Sequence, residues 1–133
     1  MSEYITKDSG ERQEFETGAR RDIQTGKPRF DLIPILPLRM LAELYGRGAE
    51  KYGDSNWRKG IPFRRVYASL LRHVFQWAEG DTSEDHLSAV CFNAMALQQY
   101  TADIVAGRLP APLDDMDGKQ VARKFPDKPE KSG

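Results

Sequence analysis

The chain has 133 residues, enough for about one domain that buries roughly two-thirds of its unfolded surface. Twenty basic and twenty acidic residues cancel to a formal net charge of zero, which leaves no bulk field for coating nucleic acid and makes any anion binding local. The lone Cys91 excludes an intrachain disulfide, and no apolar run approaches the ~18 residues of a membrane span. Met1-Ser2-Glu3-Tyr4 does not read as a signal peptide, so a cytoplasmic protein without membrane partners is expected.

Residues 1–17 are polar and charged with few apolar anchors, the pattern of a mobile or partner-docked arm. The segment from Gly18 to Arg29 is basic and contains two glycines, and Thr25-Gly26-Lys27-Pro28 signals a turn. Phe30, Leu32 and Ile33 are placed to pin the following segment onto a core. Pro37 or Leu38 suits the first helical position, because proline's missing N–H has no role there. Leu38, Leu41, Ala42, Tyr45, Ala49 and Tyr52 then recur at spacings of three and four, predicting one buried stripe that ends at Gly53. Gly46 and Gly48 each cost up to about 1 kcal/mol inside a helix relative to alanine. They imply close packing, a kink, or a backbone approached by a ligand.

Pro62 introduces a second helix over about 63–79, with Val66, Leu70, Val74 and Trp77 as its core stripe. Thr82 followed by Asp85 resembles a capping box, so a third helix is expected from there to Ala106, with Gly107 as the stop. Its inward positions are Leu87, Val90, Cys91, Ala94, Leu97 and Ile104, and Cys91 reads as a buried structural thiol. From Arg108 on, four prolines and eleven charged residues among 26 positions predict an extended tail without its own core. Strand-like alternation is essentially absent. The fold class is therefore all-α, with an arm (1–17), a helical domain (18–107) and a tail (108–133). Three helices make a thin core for this length, so helices of a second chain are expected to complete an oligomeric bundle.

Both histidines, His73 and His86, flank an acidic turn that contains Glu79, Asp81, Glu84 and Asp85. Such acids cap and solvate helix ends, or they hold a hard divalent ion such as Mg²⁺ or Mn²⁺ against substrate phosphates. A histidine at a stripe edge is a hydrogen-bonded boundary residue or a proton carrier. Arg20, Arg21, Lys27 and Arg29 form a solvated basic loop or a phosphate cradle, with Lys51 and Arg72 as further cations. Tyr52, Trp57 and Trp77 are core aromatics or stack a base. Asn93, on a largely apolar helix face, needs a partner: a structural hydrogen bond, or the base or sugar of a ligand.

The pieces Gly18-Ala19-Arg20-Arg21, Gly26-Lys27-Pro28-Arg29-Phe30-Asp31-Leu32-Ile33-Pro34, Gly48-Ala49-Glu50-Lys51-Tyr52-Gly53, Asn56-Trp57, Arg72-His73, Trp77 and Glu84-Asp85-His86-Leu87 through Asn93 occur in one order over roughly residues 17–100. Together they resemble a small phage-associated family labelled dATP/dGTP diphosphohydrolase-like. The resemblance implies a nucleotide ligand and the cytoplasm of a phage-infected bacterium. In the related MazG-type all-α pyrophosphohydrolases, E-x-x-E on one helix and E-x-x-D on the next hold magnesium. This sequence has no clean copy of either and offers Arg72-His73 and Glu84-Asp85-His86 instead. Two functions are therefore expected from it: metal-dependent cleavage of a purine nucleoside triphosphate into monophosphate and pyrophosphate, or binding that sequesters a nucleotide or nucleotide-derived immune signal unchanged.

Overall fold

The computed structural model describes residues 6–120. The chain divides into two compact units, one ending at Ile33 and one beginning at Pro34. In the first, β1 (Arg12–Glu14) and β2 (Arg20–Asp22) pair antiparallel, with Arg12 opposite Asp22 and Glu14 opposite Arg20. Opposite charges face each other across the ladder, which suits an exposed two-stranded ribbon. This hairpin corrects the reading that strands are absent. Three-residue polar strands carry no apolar alternation, so their signal is charge complementarity alone. Phe30, Leu32 and Ile33 are exposed and do not act as anchors, because so small a unit has no core to receive them.

The second unit is all-α: α1 (Ile35–Tyr52), α2 (Phe63–Ala78) and α3 (His86–Val105), with α3 packed against both of the others. Helix α1 starts two residues before Pro37, which still lies in the first turn where no N–H is required. Gly53 ends it with φ 93°, a conformation that side-chain-bearing residues rarely adopt. Of the expected α1 stripe, Leu41, Tyr45 and Ala49 are partly covered, whereas Leu38 and Tyr52 are exposed. Only the face toward α3 is packed. Helix α2 follows Pro62 as expected, and its first turn gains a remote cap: the Arg64 N–H donates to Asp115 Oδ1 at 2.8 Å.

Helix α3 begins three residues later than the capping-box reading. Asp85, not Thr82, is the N-cap, accepting from the Ser88 N–H at 3.2 Å and from its hydroxyl. A cap of this kind contributes about 1 kcal/mol. The packed face of α3 carries His86, Ala89, Asn93, Ala96, Tyr100 and Ile104, while Leu87, Cys91 and Ala94 point outward. Cys91 is thus an exposed free thiol, contrary to expectation. The helix is apolar nearly all round, so periodicity alone does not choose its inward face. Ala89 and Ala96 share the packed face with the larger His86, Tyr100 and Ile104, while Leu87 lies outside it. On α2 the packed line runs through Phe63, Val66 and His73, leaving Trp77 on the last turn 54% exposed.

The core joins Phe63, Val66, Ala96, Tyr100 and Ile104, flanked by Trp57, Ile61, Leu97, Leu109, Leu113 and Met116. The last three correct the coreless-tail reading for residues 108–120. Asp103, buried at the end of α3, turns the chain back. Its side chain accepts from Gln99 and Arg108, and its carbonyl accepts from the Arg108 and Leu109 N–H groups. Burial alone would raise its pKa, but those hydrogen bonds and the Arg108 and Arg58 charges hold it below the usual carboxylate range. Gly60, at φ 101°, admits the returning segment: a Cβ there would lie 2.7 Å from Leu113 Cδ1. Residues 121–133 of the expected tail lie outside the described residues.

Candidate functional site

Pro62 and the α2 stripe fix the rotation of α2, and the Asp85 cap fixes where α3 starts. Together they bring His73 and His86 face to face, Nδ1 to Nδ1, at 2.9 Å. On the far side, His86 Nε2 lies 2.7 Å from Asp81 Oδ2. The Asp81 carboxyl is held below the usual range by the Ser83 N–H first, then by His86 and the Ser83 hydroxyl, so it is ionised at neutral pH. The proton between Asp81 and His86 therefore sits on Nε2, which donates. With one proton on that ring, His86 Nδ1 is a bare lone pair and His73 Nδ1–H donates to it. Burial holds the His73 pKa below the ordinary imidazole value. The Glu84 carboxylate opposes that shift, and the Arg72 guanidinium adds to it.

Glu84 completes the group: one donor atom from each of His73, Glu84 and His86 lies within 4.8 Å of the others. His73 and Glu84 open into a cleft of about 520 Å³ shared with Arg47, Tyr52, Ser69, Asp85 and Asn93. His86 is 2% exposed and stands behind His73. Asn93 is tied to its own helix, its Nδ2 donating to the Ala89 carbonyl at 2.7 Å. Asp85 is engaged as the helix cap. Glu79, the exposed C-cap of α2, is outside the three-residue cluster, and Trp77 lines neither this cleft nor the neighbouring one. Gln76, one turn after His73, leaves Oε1 buried without a hydrogen-bond partner, the only such side-chain atom among the described residues.

The remaining candidates lie apart from this cluster. Trp57 faces a second cleft, Lys51 sits 5.3 Å from the Tyr52 ring, and Arg72 contacts Ser69 across one helical turn. In the N-terminal unit, Lys27 and Arg29 line a basic cleft with Arg12, Gln13 and Gly26. Arg20 and Arg21 stand exposed on β2. Arg29 is held by Asp31 through two bonds of 2.8 and 2.7 Å, and Lys27 lies 3.6 Å from Asp22. Arg47 and Ser69 were missed by the sequence reading. A signal existed for Arg47, a cation set between two helical glycines, but helix periodicity places it on the solvent side.

A sequence model of the family described as dATP/dGTP diphosphohydrolase, N-terminal, matches residues 17–105, well over half of the chain. No curated protein and no solved structure matches the chain. Among the described residues, no helix is long and apolar enough to cross a membrane. The match takes in both histidines, the acidic turn between them and all three helices, and the chain belongs to the dATP/dGTP diphosphohydrolase N-terminal family.

Proposed function

We propose that the helical unit hydrolyses a purine deoxynucleoside triphosphate to monophosphate and pyrophosphate, with a divalent cation held by His73, Glu84 and His86. The observation that carries this reading is the Asp81–His86–His73 chain, which ends beside Glu84 in an open cleft. The donors fit such an ion. Two nitrogens 2.9 Å apart are spaced like neighbouring ligands about 2.1 Å from one ion and set at right angles to each other. A mixed imidazole and carboxylate set suits Mn²⁺ better than Mg²⁺, which prefers oxygen. When bound, the ion neutralises phosphate charge and makes water a better nucleophile.

The chain's own residues prepare that site. Asp81 keeps the proton on His86 Nε2, so His86 Nδ1 carries a lone pair that accepts from His73 and can turn to an ion instead. Burial keeps His73 neutral, which a ligating imidazole requires. Arg47 brings a guanidinium to the same cleft, where its fork matches phosphate oxygens. This assignment makes both histidines ligands through their converging Nδ1 atoms, so binding an ion replaces the hydrogen bond between them and leaves the His73 proton on Nε2. Purified protein with Mn²⁺ and a panel of triphosphates should release monophosphate and pyrophosphate from dATP and dGTP, and a chelator should stop the reaction. Mass spectrometry showing unchanged nucleotide retained at stoichiometry would instead assign a sequestering role.

Self-association belongs to the same proposal. Leu87, Met95 and Val105 expose 49%, 44% and 57% of their surfaces along α3, and apolar faces of this kind mark interfaces. Light scattering at micromolar concentration should report at least a dimer; a monomer at every accessible concentration would overturn the expectation.

A further inference from the structure

Beside the cleft of His73 lies a second cleft of about 620 Å³, and the two share Tyr52 and Phe92 in their walls. Its inner wall is aromatic. Tyr45 and Phe92 have ring centroids 4.9 Å apart, and each lies 6.2 Å from Trp57. Helix α1 supplies the facing side through Gly46 and Gly48, and Asn56 stands in the loop that follows. Glycine inside a helix lowers its stability, so two of them call for a reason. Close packing among the described residues is not the reason, since a Cβ at either position meets none of them within 4 Å. What the missing side chains preserve is the open space itself.

We infer that this cleft is the base subsite of the nucleotide and that it takes a purine. The inference rests on the proposed function for the neighbouring phosphates. Volumes of about 300–1,000 Å³ are typical of small-molecule sites, and flat aromatic walls stack bases without regard to sequence. Selection among bases falls to Asn56, whose amide donates to N7, an acceptor that adenine and guanine share and pyrimidines lack. The shared wall at Tyr52 and Phe92 lets one ligand reach from the aromatic cleft to the His73 cleft. Both glycines then lie along the path of the nucleoside.

Nucleosides without phosphate test the cleft independently of metal and hydrolysis. Titrating ¹⁵N-labelled full chain with deoxyadenosine or deoxyguanosine should shift the Gly46 and Gly48 amides and the Trp57 indole, with deoxycytidine binding at least about ten-fold more weakly. Gly48→Leu should keep or raise the melting temperature, because leucine is the better helix former, and should weaken purine nucleoside binding about ten-fold or more. Gly46→Ala provides the milder version if leucine disturbs the fold. Absence of those shifts up to millimolar nucleoside, or unchanged affinity in both variants, overturns the inference. So does a Gly48→Leu chain that changes its sedimentation while binding nucleoside normally, which would give the cleft to a second copy. Purine binding here without triphosphate cleavage would leave the subsite standing and remove the hydrolytic reading; cleavage with no shift at these residues would do the reverse.

Discussion

Replacing His73 with glutamine should lower turnover of dATP by about 100-fold or more while the helical circular dichroism is retained. Glutamine roughly keeps the volume and a hydrogen-bonding group in a position that is 9% exposed, so the fold has a partner for the His86 ring. What it removes is the second nitrogen of the pair at 2.9 Å. Asp81→Asn tests the same chain one link back. An amide oxygen still accepts from His86 Nε2 but no longer fixes the proton there electrostatically, and losses of about 10–100-fold in metal affinity are usual for such outer partners. Mn²⁺ affinity measured by calorimetry should fall in both variants, further for His73→Gln. Affinities within two-fold of wild type in both would take the histidine pair out of the metal site.

The helices were legible because their ends carry local chemistry. Pro62 and Gly53 mark a start and a stop in the sequence itself, and the structure uses them there. The inward face of α3 was not legible. Leu87 and Cys91 are more apolar than Ala89 and Ala96, yet the alanines are buried with Tyr100 and Ile104 while Leu87 and Cys91 are exposed. Which face of an apolar helix meets its neighbours is a tertiary property that a hydrophobicity pattern does not contain. The return of residues 108–120 escaped for a related reason. Leu109, Leu113 and Met116 are spaced by prolines and acids, which read as solvated tail until Gly60 and Asp103 provide the place to dock.

At the candidate site, the sequence singled out the acid and histidine segment but not its internal order. Four acids between two histidines look equivalent in a string. In three dimensions Asp81 orients His86, Glu84 joins the donor cluster, Asp85 caps α3 and Glu79 stays exposed at the end of α2. Those differences come from where α3 begins, and a shift of its start from Thr82 to Asp85 redistributes every acid in the turn. The convergence of Arg47 and Tyr52 with His73 was likewise hidden, since it depends on α1 and α2 both meeting α3.

Phe63→Ala should destabilise the helical unit by about 3–5 kcal/mol, the usual range for emptying a fully buried aromatic position. Phe63 is 1% exposed and stacks on Tyr100 at 6.1 Å with ring planes 26° apart. Tyr100 in turn donates its hydroxyl to the Trp57 carbonyl, and burial first, then the Tyr45 phenol, pushes its pKa up to about 12. Removing the Phe63 ring therefore opens a cavity against a side chain that is fixed at its far end and poorly able to collapse into the space. The loss is a large part of the 5–15 kcal/mol that holds a domain of ordinary stability. Urea unfolding followed by circular dichroism should show the midpoint falling steeply, whereas Leu36→Ala, at a position 64% exposed, should stay within about 0.5 kcal/mol of wild type. Equal midpoints for the two variants would mean that the contact between Phe63 and Tyr100 is not the centre of this core, and the packing of α2 on α3 that brings the two histidines together would lose its support.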